Sequence, residues 1–292
     1  MFWRQRVIIE LLRRAPKSLA SRIQLVKWLF LLRHEKDFDS NVSFYDFFPH
    51  KYGPFSFQLY KDLSDMQTAG MITFVGKNVQ YVDKKKVIEK LPSGESRSVV
   101  SILEQYGVMP EEELLEYVYG EYPWYASRSL LSEATHESIN VTPRGVYTLG
   151  YEGLSIDTFL NVLLSRGIGR VIDVRNNPFS RKYGFSSSQL KEKCHEIDVE
   201  YYHFPALGIP SSIRKNGDGK ELWTVYEETI LLNASKDIDA VKGLCIEKGS
   251  LLLCFEQNPN TCHRKILAQN ISVKTSLPVY HYEHVGNRWR KE

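Results

Sequence analysis

Apolar positions at three- and four-residue spacing organise the first part of the chain. Val7-Ile8-Ile9 and Leu11-Leu12 form one stripe that stops before Pro16, predicting a first helix. Ser18 or Ser21 can cap a second helix, in which Ile23, Val26, Lys27, Phe30 and Leu31 lie on one broad face running to about His34. An aromatic-rich turn region follows from Phe44 to Ser56, with Phe44, Phe47 and Phe55 expected in the core. Leu59, Leu63 and Met66 then predict a third helix ending at Gly70. Here the period shortens to two: Met71–Val75 and Val79–Val82, joined through Gly76-Lys77-Asn78, predict a β-hairpin with a basic tip.

Turn formers between Leu91 and Arg97 mark a boundary. Helical spacing resumes over residues 98–119, where Pro110 and the acidic Glu111-Glu112-Glu113 suit a helix start. Residues 132–145 are polar and read as a connection. From Val146 the pattern alternates: strand 146–150, helix 156–164 and strand 171–174, with further strands at 201–204, 251–255 and 279–282. The continuous run Leu251-Leu252-Leu253-Cys254-Phe255 is of the kind a parallel sheet covers on both faces. The expected architecture is α/β: an α+β winged-helix domain over 1–92, a helical connector over 93–145 and a Rossmann-like, largely parallel sheet domain over 146–292.

Composition fits that picture without deciding the chemistry. The 292 residues suffice for about two domains, and 42% hydrophobic with 25% charged is ordinary for a globular protein. No apolar run reaches the roughly 18–20 residues that span a bilayer, and Met1-Phe2-Trp3-Arg4 leads into no signal-type apolar core. A cytoplasmic location without membrane contact is therefore expected. All four cysteines, Cys194, Cys245, Cys254 and Cys262, lie in the last third with no disulfide-type spacing. The net charge of +3 is uneven: 16 basic against 9 acidic residues in 1–92, 3 against 9 in 93–145, and 19 against 17 in 146–292. The basic end suits a polyanion.

Three helices followed by a hairpin is the order of a winged helix, whose third helix can enter a major groove while the wing follows the phosphates. Tyr52-Gly53-Pro54-Phe55-Ser56, with Leu59 and Leu63 after it, resembles winged-helix modules of bacterial antitoxin and phage-defence regulators. The resemblance implies nucleic-acid binding or dimerisation, so DNA is the expected partner and a homodimer through this module a further one. Lys51, Tyr52, Ser56, Lys61 and Lys77 are the candidate DNA contacts.

In open α/β sheets ligands collect beyond the carboxyl ends of the strands. Those positions hold Gly150-Tyr151-Glu152-Gly153, then Asp173-Val174-Arg175-Asn176-Asn177-Pro178-Phe179-Ser180-Arg181, Ala206-Leu207-Gly208, and Cys254-x-Glu256-x-x-Pro259-x-x-Cys262-His263-Arg264. Four ordered motifs, Thr148-Leu149-Gly150-Tyr151, Asp173-Val174-Arg175 with Pro178 and Ser180, Tyr202 with Leu207-Gly208, and the cysteine–glutamate–cysteine string, are similar to the family called domain of unknown function number 488. That family carries a fold and a motif set rather than an agreed reaction. Its first motif often reads Gly-His-Ser or Gly-Tyr-Gly, where this chain has Gly150-Tyr151-Glu152-Gly153.

Guanidinium forks at a strand end can hold phosphate or carboxylate, and a helix beginning near Pro259 offers free N–H groups. The expected anion or nucleotide pocket comprises Gly150, Tyr151, Glu152, Arg175, Asn177, Ser180, Arg181, Cys254, His263 and Arg264. An ion pair of the arginines with Asp173 or Glu256 is the structural alternative. Asp173 and Glu256 are the candidate general acid and base, and Cys262, at the helix start, the candidate nucleophile. Cys254, Cys262 and His263 form a weak zinc signature, and no metal or other cofactor is expected. Cys194 and Cys245 are read as core, and His195 and His203 as surface or satisfied histidines.

The expected function is a nucleic-acid-directed enzyme, with DNA held by the winged helix and a base or nucleotide processed hydrolytically, by N-glycosidic or phosphodiester cleavage, in DNA repair or phage defence. A DNA glycosylase or nuclease type of hydrolase is implied. A nucleotide-sensing regulator without catalysis is one alternative. A sulfur-transfer enzyme is another, because the Asp-Val-Arg string also resembles rhodanese domains.

Overall fold

The computed structural model describes residues 1–36, 44–82, 89–131, 142–216, 219–284 and 288–291. The chain divides into two units, Met1–Glu137 and Ser138–Glu292. The predicted connection over 132–145 lies outside the described residues up to 141.

The first unit contains α1 (Trp3–Arg14), β1 (Leu19–Ser21), α2 (Arg22–Glu35), β2 (Phe48–His50), β3 (Gly53–Phe55), α3 (Phe57–Thr68), β4 (Ile72–Val75), β5 (Asn78–Tyr81), α4 (Ser93–Tyr106), α5 (Glu111–Glu121) and α6 (Pro123–Ala126). Of the two candidate caps, Ser21 starts α2. Its hydroxyl accepts from the Gln24 amide at 3.0 Å, while Gln24 Oε1 accepts from the Ser21 amide at 3.1 Å, a reciprocal capping box. The residues before the cap pair antiparallel with β5, turning the predicted hairpin into a three-stranded sheet in the order β1-β5-β4. The aromatic turn region also contains a two-stranded ribbon, β2 with β3. Sequence periodicity misses both short strands because three residues are too few to show a period.

The expected connector is built into this unit. Val99, Ile102 and Tyr106 of α4 and Leu114 and Val118 of α5 are buried in one cluster with Val7, Ile8, Trp28 and Leu63. Trp28 Nε1 donates to the Tyr106 carbonyl at 3.3 Å. The acidic start of α5 faces the sheet, with Glu111 accepting from Ser21 Oγ and lying 3.7 Å from Lys77 Nζ at the hairpin tip. Phe44 and Phe47 are buried as expected, and Phe55 is half-buried.

The second unit contains β6 (Val146–Gly150), α7 (Ile156–Ser165), β7 (Arg170–Asp173), α8 (Ser187–Glu196), β8 (Glu200–His203), α9 (Ser211–Asn216), α10 (Gly219–Val225), α11 (Ser235–Glu247), β9 (Ser250–Cys254), α12 (His263–Thr275), β10 (Val279–Glu283) and β11 (Arg288–Lys291). The residues between α10 and α11, Tyr226–Leu231, form a π-helical turn. Six strands make one sheet in the order β11-β10-β6-β9-β7-β8. All neighbours are parallel except β10 with β11. Every residue of β6 and β9 is buried, which is why both read as unbroken apolar runs.

Strand order places the site. The chain leaves β9 through α12 towards β10 on one side and leaves β7 through α8 towards β8 on the other. Connections that diverge from adjacent strands open a crevice at their carboxyl ends. Among the described residues no helix is long and apolar enough to cross a membrane.

Candidate active site

The β9–β7 crevice gathers Cys254 from the last position of β9, Glu256 just after it, and Cys262 and His263 from the start of α12. The Cys254 and Cys262 thiols both donate to Glu256 Oε2, at 3.1 and 3.0 Å. Glu256 Oε1 accepts from Arg214 Nη1 of α9 at 2.6 Å. His263 Nε2 lies 3.0 Å from the Val174 carbonyl. A carbonyl only accepts, so Nε2 donates there, and Cys254 Sγ lies beside the ring, 3.9 Å from Nδ1 and 4.0 Å from Nε2. Both cysteines and His263 are buried, and Glu256 keeps part of its carboxylate exposed. Cys254, Cys262 and His263 each place a ligating atom within 4.8 Å of the other two. They are the residues here that could hold a metal.

The electrostatics separate the two thiols. Contact with the Cys262 sulfur, burial and the Glu256 carboxylate push Cys254 well above the ordinary thiol range. Burial also opposes ionisation of Cys262. The Cys254 thiol, His263 and Arg264 outweigh it and draw Cys262 below the ordinary thiol range. Burial opposes the Glu256 charge too, but the thiols and Arg214 hold that carboxyl at about 2.

The loop carrying Glu256 is held by two motif residues that the sequence assigns to ligand binding. Arg264 is buried, and its guanidinium donates to the carbonyls of Glu256 and Gln257. Both Nη atoms are thus taken by the loop, while Nε, also buried, has no hydrogen-bond partner among the described residues. Gly150 is needed for the same approach, since a Cβ there would overlap the Glu256 carbonyl. Glu152 joins in through Oε2, which accepts from the Gln257 amide at 2.9 Å.

Arg175 forms the expected alternative, an ion pair. Its Nε and Nη2 meet Asp173 Oδ1 and Oδ2 at 2.8 and 2.5 Å, and both residues are buried. Tyr201 donates to the same carboxylate at 2.7 Å, and Arg175 Nη1 donates to the Tyr151 hydroxyl at 3.0 Å. The ion-pair alternative thus describes Arg175, and the Asp173 side chain is closed to solvent where that of Glu256 stays partly open. Asn177 and Ser180 shape the loop after β7, accepting from the amides of Phe179 and Lys182. Arg181 is exposed on that loop. Cys194 and Cys245 are core residues as expected, His195 is exposed, and His203 Nε2 lies 2.9 Å from the Arg175 carbonyl.

Sequence reasoning missed Arg214, Tyr201 and Tyr226. Tyr226, in the π-helical turn, packs its ring 5.3 Å from His263 and donates to the Leu207 carbonyl at 2.9 Å. A π-turn at a functional cleft is a recurrent device. Also missed is a cavity of about 630 Å³ beside the Glu256 loop, lined by Gln257, Asn258, Asn260, Lys265, Arg290 and Lys291 among others.

In the first unit, Lys51 and Tyr52 are exposed at the β2–β3 turn. Lys61 is exposed but paired with Asp65, and Lys77 stands at the β4–β5 turn. Ser56 is corrected: it is fully buried, and its hydroxyl caps α3 by accepting from the Leu59 amide at 3.2 Å.

Residues 155–271 match the family model described as Domain of unknown function DUF488. The matched stretch takes in the Asp173–Arg175 pair and the whole cysteine–glutamate–histidine cluster, and begins after Gly150-Tyr151-Glu152. No curated protein and no solved structure matches the chain.

Proposed function

We propose that the protein is a nucleic-acid-directed enzyme. In this reading the first unit acts as a winged helix on DNA, and the second, as a Rossmann-like domain, hydrolyses a base or nucleotide linkage. The observation that carries the reading is Glu256. It is a partly open carboxylate at the sheet's switch point, oriented by Arg214 on one oxygen and two thiols on the other. A carboxylate fixed in this way can orient water against a glycosidic or phosphodiester bond. Lys265, Arg290 and Lys291 along the neighbouring cavity supply positive charge for a phosphodiester backbone. DNA repair or phage defence is the setting such an enzyme fits.

The test incubates the full chain with end-labelled single- and double-stranded DNA carrying normal, damaged or modified bases. Base release or strand scission that disappears in Glu256→Gln supports the reading. Activity retained in Glu256→Gln and lost in Cys262→Ser replaces it with thiol chemistry. Silence on every nucleic acid, with nucleotides still raising the melting temperature, replaces it with a sensor. Mobility shifts that weaken steeply with salt support DNA contact, and no shift at low salt overturns it.

A further inference from the structure

We propose that Cys254, Cys262 and His263 bind a zinc-class divalent cation, with Glu256 at the fourth side of the site. The proposal deepens the hydrolytic reading of this cleft and shares Glu256 with it. Tetrahedral zinc, with Zn–S near 2.3 Å and Zn–N near 2.0 Å, holds sulfur and nitrogen about 3.6 Å apart. Cys254 Sγ and His263 Nδ1 are 3.9 Å apart, and all three ligand atoms fall within 4.8 Å of one another. Small side-chain adjustments close that difference.

Three features beyond the spacing point the same way. The His263 ring is already anchored, because Nε2–H is spent on the Val174 carbonyl, which leaves Nδ1 as the nitrogen available to a metal beside the sulfurs. Backbone anchoring of the outer nitrogen is the usual way a protein fixes a metal-binding imidazole. The two sulfurs also converge on one oxygen, Glu256 Oε2, at 3.1 and 3.0 Å. A divalent cation bound between them displaces whatever thiol protons remain to solvent, leaving two thiolates and a carboxylate around a charge of +2. Finally, the donors are two sulfurs and an imidazole, a set that suits zinc and excludes magnesium or calcium as the intended ion. Two cysteines and one histidine match the three-protein-ligand pattern of zinc sites that keep a fourth place for water or substrate.

The test needs no substrate. The full chain is purified under reducing conditions, loaded with Zn²⁺, desalted and assayed for metal by plasma mass spectrometry, with about one zinc per chain expected. Co²⁺ in place of zinc should give thiolate-to-cobalt charge-transfer absorption in the near ultraviolet and tetrahedral bands in the visible. Cys262→Ser should lower retained zinc at least about tenfold, and the cobalt spectrum of the unsubstituted chain keeps the test decisive should that variant fold poorly. Less than about 0.1 zinc per chain, or a cobalt spectrum without the thiolate band, overturns the proposal. Bound zinc in a chain silent on nucleic acid supports the metal site and overturns the hydrolytic reading. Activity in a chain that retains no zinc after loading overturns the metal site and leaves the reading standing.

Discussion

Arg175 grips Asp173 two residues before it in a fork of two hydrogen bonds, 2.8 and 2.5 Å, with neither side chain open to solvent. The pair braces the end of β7, and Tyr151 and Tyr201 complete its hydrogen bonding. Removing the arginine leaves a buried carboxylate charge uncompensated, which costs about 3–5 kcal/mol. Arg175→Ala should therefore lower the urea midpoint of the second unit's transition substantially. Arg181→Ala, on the exposed loop, should leave it within about 0.5 kcal/mol. Equal midpoints for Arg175→Ala and the unsubstituted chain would return Arg175 to the ligand pocket.

A second prediction concerns Gly150. A methyl group there meets the Glu256 carbonyl and comes 3.0 Å from the Arg264 Nη1 that donates to it, so it crowds both partners of that hydrogen bond. Gly150→Ala should destabilise by about 1–3 kcal/mol as an overpacking change. Displacing the loop also carries Glu256 away from Arg214, so any activity of the cleft should fall by more than the stability loss explains. A variant with unchanged melting temperature would show that the loop moves freely.

These two positions show what was legible in the sequence. Strands such as Leu251–Leu253 announce themselves by continuous apolarity, and polar residues at their ends mark the correct sheet edge. The motif residues do converge there, but their separate jobs are set by tertiary distance. Arg175 and Arg264 read alike as fork donors along the chain. Only the fold shows that one meets a carboxylate two residues away and the other a pair of carbonyls. Arg214 carried no signal, because its partner Glu256 lies 42 residues on and no periodicity links them. In the first unit β1 was invisible for a similar reason, since three residues become a strand only by pairing with β5.

Lys27 leads to a pH prediction. It is buried in the apolar face of α2, where its ammonium donates to the Tyr52 carbonyl at 2.7 Å beneath the Tyr119 ring. Burial lowers its pKa from 10.5 to about 7, with Glu111 opposing weakly. Between these values the unfolded chain binds the proton that the folded chain has released, so this group makes stability rise with pH from about 7 towards 10.5. Urea midpoints measured at pH 7, 8 and 9 should climb more steeply in the unsubstituted chain than in Lys27→Met. Parallel profiles for the two would mean that Lys27 keeps its proton throughout.

The last prediction links exposed aromatic rings to the proposed substrate. Phe179, on the loop after β7, is 71% exposed, and Phe255, directly after β9, is 44% exposed with its ring edge-to-face against Tyr151 at 5.3 Å. Both rings keep a large part of their surface open, and both loops leave strands that border the crevice. Exposed rings offer stacking faces to unpaired bases, whereas a base held in a duplex is already stacked. Phe179→Ala and Phe255→Ala should each weaken binding of a single-stranded oligonucleotide by about 1–3 kcal/mol, a loss that fluorescence anisotropy reads directly. Their melting temperatures should stay close to that of the unsubstituted chain, because little buried area is removed. Unchanged single-strand affinity in the double variant would exclude base stacking at this edge. An equal loss on duplex DNA would place the rings on the backbone path instead of against an extruded base.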